Sequence, residues 1–211
     1  MKQTVYKIII SLCLLINISA LLSCSKETPL LPLEPNATIL AFGDSLTYGT
    51  GTSRDNAYPA VLEKMTGLKV VNAGIPGEIS AAGLTRLPAL LREHHPDLII
   101  ICHGGNDILR HMNLNQTHNN IQKMITLAQA NNTQIILIGV PEFGLFLDTL
   151  PLYLDLAESN QIPIAEDILG DILAKNTLKS DQIHPNAQGY QILAKRIASL
   201  LKQSGAISTA Q

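Results

Sequence analysis

Four short runs of this chain, 38–42, 68–72, 98–102 and 134–140, read as strands that are apolar on both faces, and this pattern constrains the fold most tightly. A sheet with one wet face alternates apolar and polar residues along each strand. Strands apolar throughout belong to a parallel sheet covered on both sides by helices. A weaker fifth candidate lies at 162–165. Helical patterns fill the intervals at 58–66, 80–94, 117–131 and 152–160, and a last one at 186–203 follows His184-Pro185. Pro88 is expected to interrupt the second of these. In the third, Ile121, Met124, Ile125 and Ala128 recur at the spacing of a buried helical stripe. Strand and helix in strict alternation predict an α/β chain, a right-handed doubly wound three-layer α/β/α sandwich. The working residues of such a sheet belong in loops at the carboxyl ends of its strands.

The N-terminus is set apart from this pattern. Lys2 and Lys7 precede an apolar run from Ile8 to Leu22, too short and too soon followed by polar residues to span a bilayer comfortably. It reads as an export signal. Leu21-Leu22-Ser23-Cys24 resembles the bacterial lipobox, which predicts cleavage after 1–23 and acylation of Cys24. Two or more acyl chains would give stable membrane attachment, and Ser25 is compatible with outer-membrane sorting in a Gram-negative cell. Residues 24–36, with Pro29, Pro32 and Pro35, are expected to form a semi-rigid linker holding the domain off the membrane. The domain itself is assigned to 37–204. Cys13 leaves with the signal and Cys24 carries lipid, so Cys102 has no intramolecular disulfide partner. A formal charge of −2 gives no reason to expect a nucleic-acid partner.

Three motifs follow the first three strands: Gly43-Asp44-Ser45-Leu46, Asn72-Ala73-Gly74 and Gly104-Gly105-Asn106-Asp107. A fourth, Asp181-Gln182-Ile183-His184-Pro185-Asn186, precedes the last helix. Ser45, where a strand turns into a short helix, is the candidate nucleophile and needs a base. His184 is the natural base, and Asp181 can fix its tautomer from the same loop. Asp44 is assigned to orienting the nucleophile turn. The oxyanion hole is expected from the backbone N–H groups of Ser45 and Gly74 and the side-chain amide of Asn106. Each motif alone also reads as a helix cap or turn. Their joint occurrence in this order is what carries the chemistry.

This set of four motifs resembles the conserved blocks of the SGNH, or GDSL, hydrolases, with Ser45, Gly74, Asn106 and His184 as the four letters. The likeness runs from Ile39 to Leu201. It is closest to the bacterial thioesterase I, lysophospholipase and arylesterase group, through segments such as Gly83-Leu84-Thr85-Arg86-Leu87-Pro88. It implies a flavodoxin-like parallel sheet and hydrolysis of acyl esters or thioesters through an acyl-serine intermediate, with no cofactor and no metal. The family also implies sugar deacetylases, so a carbohydrate O-acetylesterase is the alternative; a surface lipoprotein that binds ligands without turnover is a further one. An anchored enzyme is expected to favour a membrane-derived lipid over a soluble acyl-CoA.

The apolar segment Phe143, Leu145 and Phe146, just beyond the fourth strand, could line an acyl groove or pack into the core. His94, His95, His103, His111 and His118 lack metal-ligand spacing and are expected in loops or at the surface. Neither Gly-x-Gly-x-x-Gly nor a phosphate-binding loop occurs. Gly-x-Ser-x-Gly is also absent, which excludes the usual nucleophile elbow of α/β-hydrolases.

Overall fold

The structure, a computed structural model, describes residues 28–142 and 147–208. The expected signal segment and Cys24, together with Phe143, Leu145 and Phe146, lie outside the described residues.

Five parallel strands form the sheet: β1 (Thr38–Gly43), β2 (Lys69–Gly74), β3 (Leu98–Cys102), β4 (Gln134–Ile138) and β5 (Ile164–Ala165). Their order is β2-β1-β3-β4-β5, the doubly wound arrangement expected of this alternation. The described helices are α1 (Ser45–Tyr48), α2 (Tyr58–Thr66), α3 (Ser80–His94), α4 (Gly105–Leu109), α5 (Leu114–Ala130), α6 (Pro151–Asn160), α7 (Ile168–Leu173) and α8 (Ala187–Gln203). Helices α2 and α7 pack with α8, and α3 and α6 pack with α5. Right-handed crossovers place these two groups on opposite faces of the sheet. The central strands are therefore buried on both sides, as their unbroken apolar runs require: Ile39 to Phe42, Leu98 to Ile101 and Ile135 to Ile138 are all interior.

Successive strands are added on one side of β1 (β2) and then on the other (β3 to β5), which makes a switch point between β1 and β3. Gly43 pairs with Gly74 on one side and with Cys102 on the other, so three strands end at one level. This is the crevice where open parallel sheets bind ligands. Gly43 is required here by close approach, because a Cβ would lie 2.1 Å from the carbonyl oxygen of Cys102 and 2.4 Å from Thr47 Oγ1.

Several boundaries differ from the sequence reading. Helix α3 runs unbroken through Pro88. The proline forfeits one ladder hydrogen bond, but Gly83, Leu87 and Leu91 bury the helix on both sides of it. Strand β4 stops at Ile138, because Val140 turns to accept from the amide of Leu150 and Pro141 bridges to Thr149. Helix α5 starts at Leu114, where the side chain of Asn113 caps the amides of Asn115 and Gln116.

The linker also departs from expectation. Its described part does not stand away from the domain but runs along it as a strap. The amide of Leu30 donates to Ser204 O (2.7 Å) and that of Leu33 to Ala206 O (2.8 Å), just past the end of α8. Gln134, the first residue of β4, accepts from the Leu31 amide at 2.6 Å and donates to the Leu31 carbonyl at 3.0 Å. Leu30 and Leu33 pack against the core, whereas Leu31 is 74% exposed. Apolar burial outweighs the spacer composition of this segment.

Half-burying two leucines contributes about 2 kcal/mol, worth roughly 4–8 °C in Tm for a domain of this size. Replacing Leu30 and Leu33 together by Ser is expected to lower the melting temperature by about that amount, with Leu31→Ser as a near-silent control in thermal unfolding. Equal Tm values for all three proteins would show that the strap contributes nothing to stability.

Candidate active site

Ser45 opens the four-residue helix α1 immediately after β1. Asp44 caps this helix, its Oδ1 accepting from the Leu46 amide at 3.0 Å, and Gly49 closes it in a left-handed conformation. A strand running straight into so short a helix leaves the first side chain at its mouth and directs its free amides outward. Ser45 Oγ lies 3.0 Å from His184 Nε2, a contact between positions 139 residues apart. His184 Nδ1 lies 2.8 Å from Asp181 Oδ2. With the Nδ1 hydrogen donated to the carboxylate, Nε2 is left as the acceptor for the Ser45 hydroxyl.

The loop builds its own cradle for Asp181. Oδ1 of that residue accepts from the amides of Ile183 (2.9 Å) and His184 (2.8 Å). Desolvation works to raise the Asp181 pKa, but the His184 ring and these amides outweigh it and hold the carboxyl below its ordinary range. An antiparallel bridge between Lys179 and Pro185 and a bond from the Ser180 amide to His184 O fix the turn. Across the gap, Tyr190 Oη donates to Thr50 O at 2.8 Å, fastening α8 to the chain beyond α1.

Asn106, in the first turn of α4, points its amide at the nucleophile turn. Nδ2 donates to Asp44 Oδ2 (3.1 Å) and to the carbonyl of Glu78 (3.0 Å). Its neighbour Asp107 is buried and accepts from the Ser80 amide (2.8 Å), from Ser80 Oγ and from Thr117 Oγ1 (3.3 Å), which locks α4 between α3 and α5. Asp44 thus does more than cap α1: it joins the nucleophile turn to Asn106. Burial raises the Asp44 pKa, against the lowering influence of the His103 ring and the Leu46 amide.

Ser45, Asn106, Leu109, Ile183 and His184 line one small recess. Gly74 is not among its walls, which corrects the assignment made from sequence. Its N–H donates to Asn72 Oδ1 at 3.1 Å, and Asn72 Nδ2 in turn donates to Thr47 O at 2.9 Å. A Cβ on Gly74 would meet the amide nitrogen of Tyr48 at 2.1 Å, so this glycine lets β2 press against α1.

Sequence reasoning missed two features. Beyond Leu109 lie two open hollows of about 250 and 370 Å³ that share Leu114 and Leu150, the first walled also by Ile108 and Met112 and the second by Leu152. The partial exposure of Leu109, Met112 and Leu114, each near 40%, belongs to this apolar side of the rim. Their close spacing after Gly-Gly-Asn-Asp was the available signal. The second feature is the cluster of Glu78, Arg86 and His103. Arg86 Nε and Nη2 grip the Glu78 carboxylate at 2.7–2.9 Å, and Nη2 also donates to Ala73 O (2.8 Å) and Gly43 O (3.2 Å). His103, expected in a loop or at the surface, is fully buried. Its Nδ1 accepts from the Gly104 amide, so the hydrogen sits on Nε2, 3.1 Å from Glu78 Oε2. Gly83 makes room for the ring, since a Cβ there would fall 2.2 Å from Nε2.

The sequence model of the GDSL-like lipase/acylhydrolase family matches residues 41–192. The chain is 32% identical over 173 residues to thioesterase 1/protease 1/lysophospholipase L1 of Escherichia coli K12, covering 78% of this chain and 83% of that protein. It is 29% identical over 182 residues to an arylesterase of Vibrio mimicus, covering 80% and 90% of the two chains. The crystal structure of TesA superposes with a TM-score of 0.70 at 30% identity, over 78% of this chain and 98% of that one.

Desolvation raises the Glu78 pKa, but its bonds to His103 and Arg86 prevail and set it below the ordinary 4.5. The native carboxyl therefore resists a proton that the unfolded chain accepts, so this contribution is present above about pH 4.5 and is lost as pH falls toward the lowered value. Asp181 adds in the same sense below its ordinary 3.8, whereas Asp44, raised, acts in the opposite sense. The stability gap between wild type and Glu78→Gln is expected to narrow from pH 7 to pH values below 4.5 in denaturant titrations. A gap constant across that range would exclude the charge of Glu78 as its source.

Proposed function

Because the chain belongs to the GDSL-like lipase/acylhydrolase family, we propose that it hydrolyses acyl esters or thioesters with Ser45 as nucleophile, His184 as general base and Asp181 as its orienting carboxylate. It is a serine ester hydrolase, as the thioesterase, lysophospholipase and arylesterase relatives are. The observation that carries the residue assignment is the unbroken relay from Asp181 Oδ2 through the His184 ring to Ser45 Oγ, with contacts of 2.8 and 3.0 Å.

Ser45 Oγ attacks the acyl carbonyl carbon while His184 Nε2 takes the hydroxyl proton, and Asp181 stabilises the imidazolium. The tetrahedral oxyanion collapses, the alcohol or thiol leaves with the proton returned by His184, and the acyl group stays on Ser45. Water attacks that acyl-serine with the same base and releases the acid. The oxyanion is held by the Ser45 N–H and by Asn106 Nδ2, which Asp44 and Glu78 O orient before substrate arrives.

The loop after β2 contributes through Gly77 in place of Gly74. Within 74–78 the Gly74 amide serves Asn72, that of Ile75 donates to Gly43 O, that of Glu78 to Ile75 O, and Pro76 has none. Gly77, exposed and at φ +76°, retains the donor beside the carbonyl that binds Asn106. The hollows from Ile108 to Leu152, walled by leucines together with His111, Glu142, His118 and Asp155, support an acyl group longer than acetyl. Among the described residues no helix is long and apolar enough to cross a membrane. The basic and apolar start with Leu21-Leu22-Ser23-Cys24 supports export to the cell envelope and lipid attachment at Cys24.

Two measurements test this reading. With p-nitrophenyl esters from acetate to palmitate, turnover is expected to peak at medium or long chains and to vanish in Ser45→Ala. Activity confined to acetate would favour a carbohydrate O-acetylesterase, and none at all a binding lipoprotein. Asn106→Ala is expected to lower kcat by about 10² to 10³ with little change in KM; a kcat within a few-fold of wild type would remove Asn106 from the oxyanion hole.

A further inference from the structure

The strap fixes where the chain enters the domain, and that point lies opposite the catalytic recess. Three marks locate it. Leu30 is bonded to Ser204, immediately past α8, and the other end of α8 begins three residues after His184. Seventeen helical residues span about 25 Å. Leu31 is bonded to Gln134, where β4 starts, at the edge of the sheet from which all the parallel strands set out. Ser45 follows the far end of β1, whose six residues run about 20 Å.

The reach of the tether completes the geometry. From Cys24 to Leu30 the chain takes six Cα steps, at most about 21 Å when fully extended. Were the recess to face a bilayer holding lipid on Cys24, Leu30 would stand about 25 Å or more above it, the length of α8. The connecting chain would also have to pass around the side of the domain. Six steps cannot do this unless the strap peels away and surrenders its bonds to Ser204, Ala206 and Gln134. Lipid chains give Cys24 no extra reach, since they fix it at the interface.

We infer that the tethered enzyme stands with its recess pointing away from the bilayer that anchors it, and that its substrates are acyl esters arriving through the aqueous phase. This replaces the expectation that the anchoring membrane itself supplies the lipid substrate. It rests on the proposed esterase chemistry and on lipid attachment at Cys24. The strap is a positioning device: it shortens the free tether to less than the depth of the domain. The Pro-rich stretch that would have been a spacer is thereby withdrawn from use as one.

The test uses the full lipidated chain in phosphatidylcholine vesicles, beside a variant with a twenty-residue Gly/Ser insertion after Lys26. Such a flexible segment adds a root-mean-square reach of about 25 Å and far more at full extension. Both proteins are given p-nitrophenyl butyrate in water and a fluorogenic long-chain ester retained in their own bilayer. The expected result is equal hydrolysis of the soluble ester, with hydrolysis of the bilayer ester at least tenfold faster for the long tether. Equal rates on the bilayer ester would overturn the inference. So would failure of the long tether on it while both proteins cleave the same ester in detergent micelles. Two controls separate failure of the underlying reading: Cys24→Ala that still floats with vesicles would remove the anchor, and butyrate hydrolysis that survives Ser45→Ala would remove the assigned nucleophile. Either takes the inference with it.

Discussion

The guanidinium of Arg86 holds the catalytic rim together. From one side it reaches the carbonyls of Gly43 and Ala73, at the ends of two neighbouring strands, and from the other it grips Glu78. These three points belong to the nucleophile turn, to the end of β2 and to the loop whose carbonyl orients Asn106. A planar, permanently charged fork can serve all three at once, which an ammonium could not do with the same geometry. Glu78 is 7% exposed, so removing Arg86 would leave a desolvated charge. That loss typically costs about 3–5 kcal/mol, whereas the intact pair adds little net stability. The pair is therefore better understood as fixing the shape of the rim than as strengthening the fold.

The Asp181–His184 loop is assembled on a different principle. Asp181 and His184 are three residues apart and linked by main-chain bonds into the same carboxylate, so their mutual geometry is local. Their distance to Ser45 is not local. It depends on α8 being seated against α2 and α7 and on the chain beyond α1 meeting that loop. There Tyr190 reaches Thr50 O, and Gly51 lies so close to Ser180 that a Cβ would sit 2.1 Å from its hydroxyl oxygen. Local turns thus supply orientation, and packing supplies distance.

This division explains what the sequence disclosed. Fully buried β1, β3 and β4 announced themselves as apolar runs, and α5 as a stripe from Ile121 to Ala128, because burial on a regular element leaves a period. That Ser45, Asp181, His184 and Asn106 meet at one rim was legible because each chemical type stood in a motif at a strand end or helix start. Gly74 misled because sequence shows a turn glycine without showing where its amide points. Asn72, two residues earlier, takes that amide. His103 does lie in a loop, but it is buried and not at the surface, because Gly83 leaves a space that only the fold reveals. The strap escaped notice for a related reason. Its prolines signalled a spacer, while two leucines and the side chain of Gln134 held it to the domain.

Parallel topology gives the strap a consequence that no individual contact would. Every strand of this sheet starts at one edge and ends at the other, and Ser45 follows the first strand. A segment entering β1 is therefore separated from the catalytic recess by the full strand length, about 20 Å, whatever its own sequence. Only a long free linker could reverse that separation. By bonding at Leu30, Leu31 and Leu33, the strap removes most of the linker this chain has before Thr38. In the proposed anchored enzyme, orientation would then follow from the direction of the strands and the point at which the strap is bonded, without a dedicated membrane-facing surface on the domain.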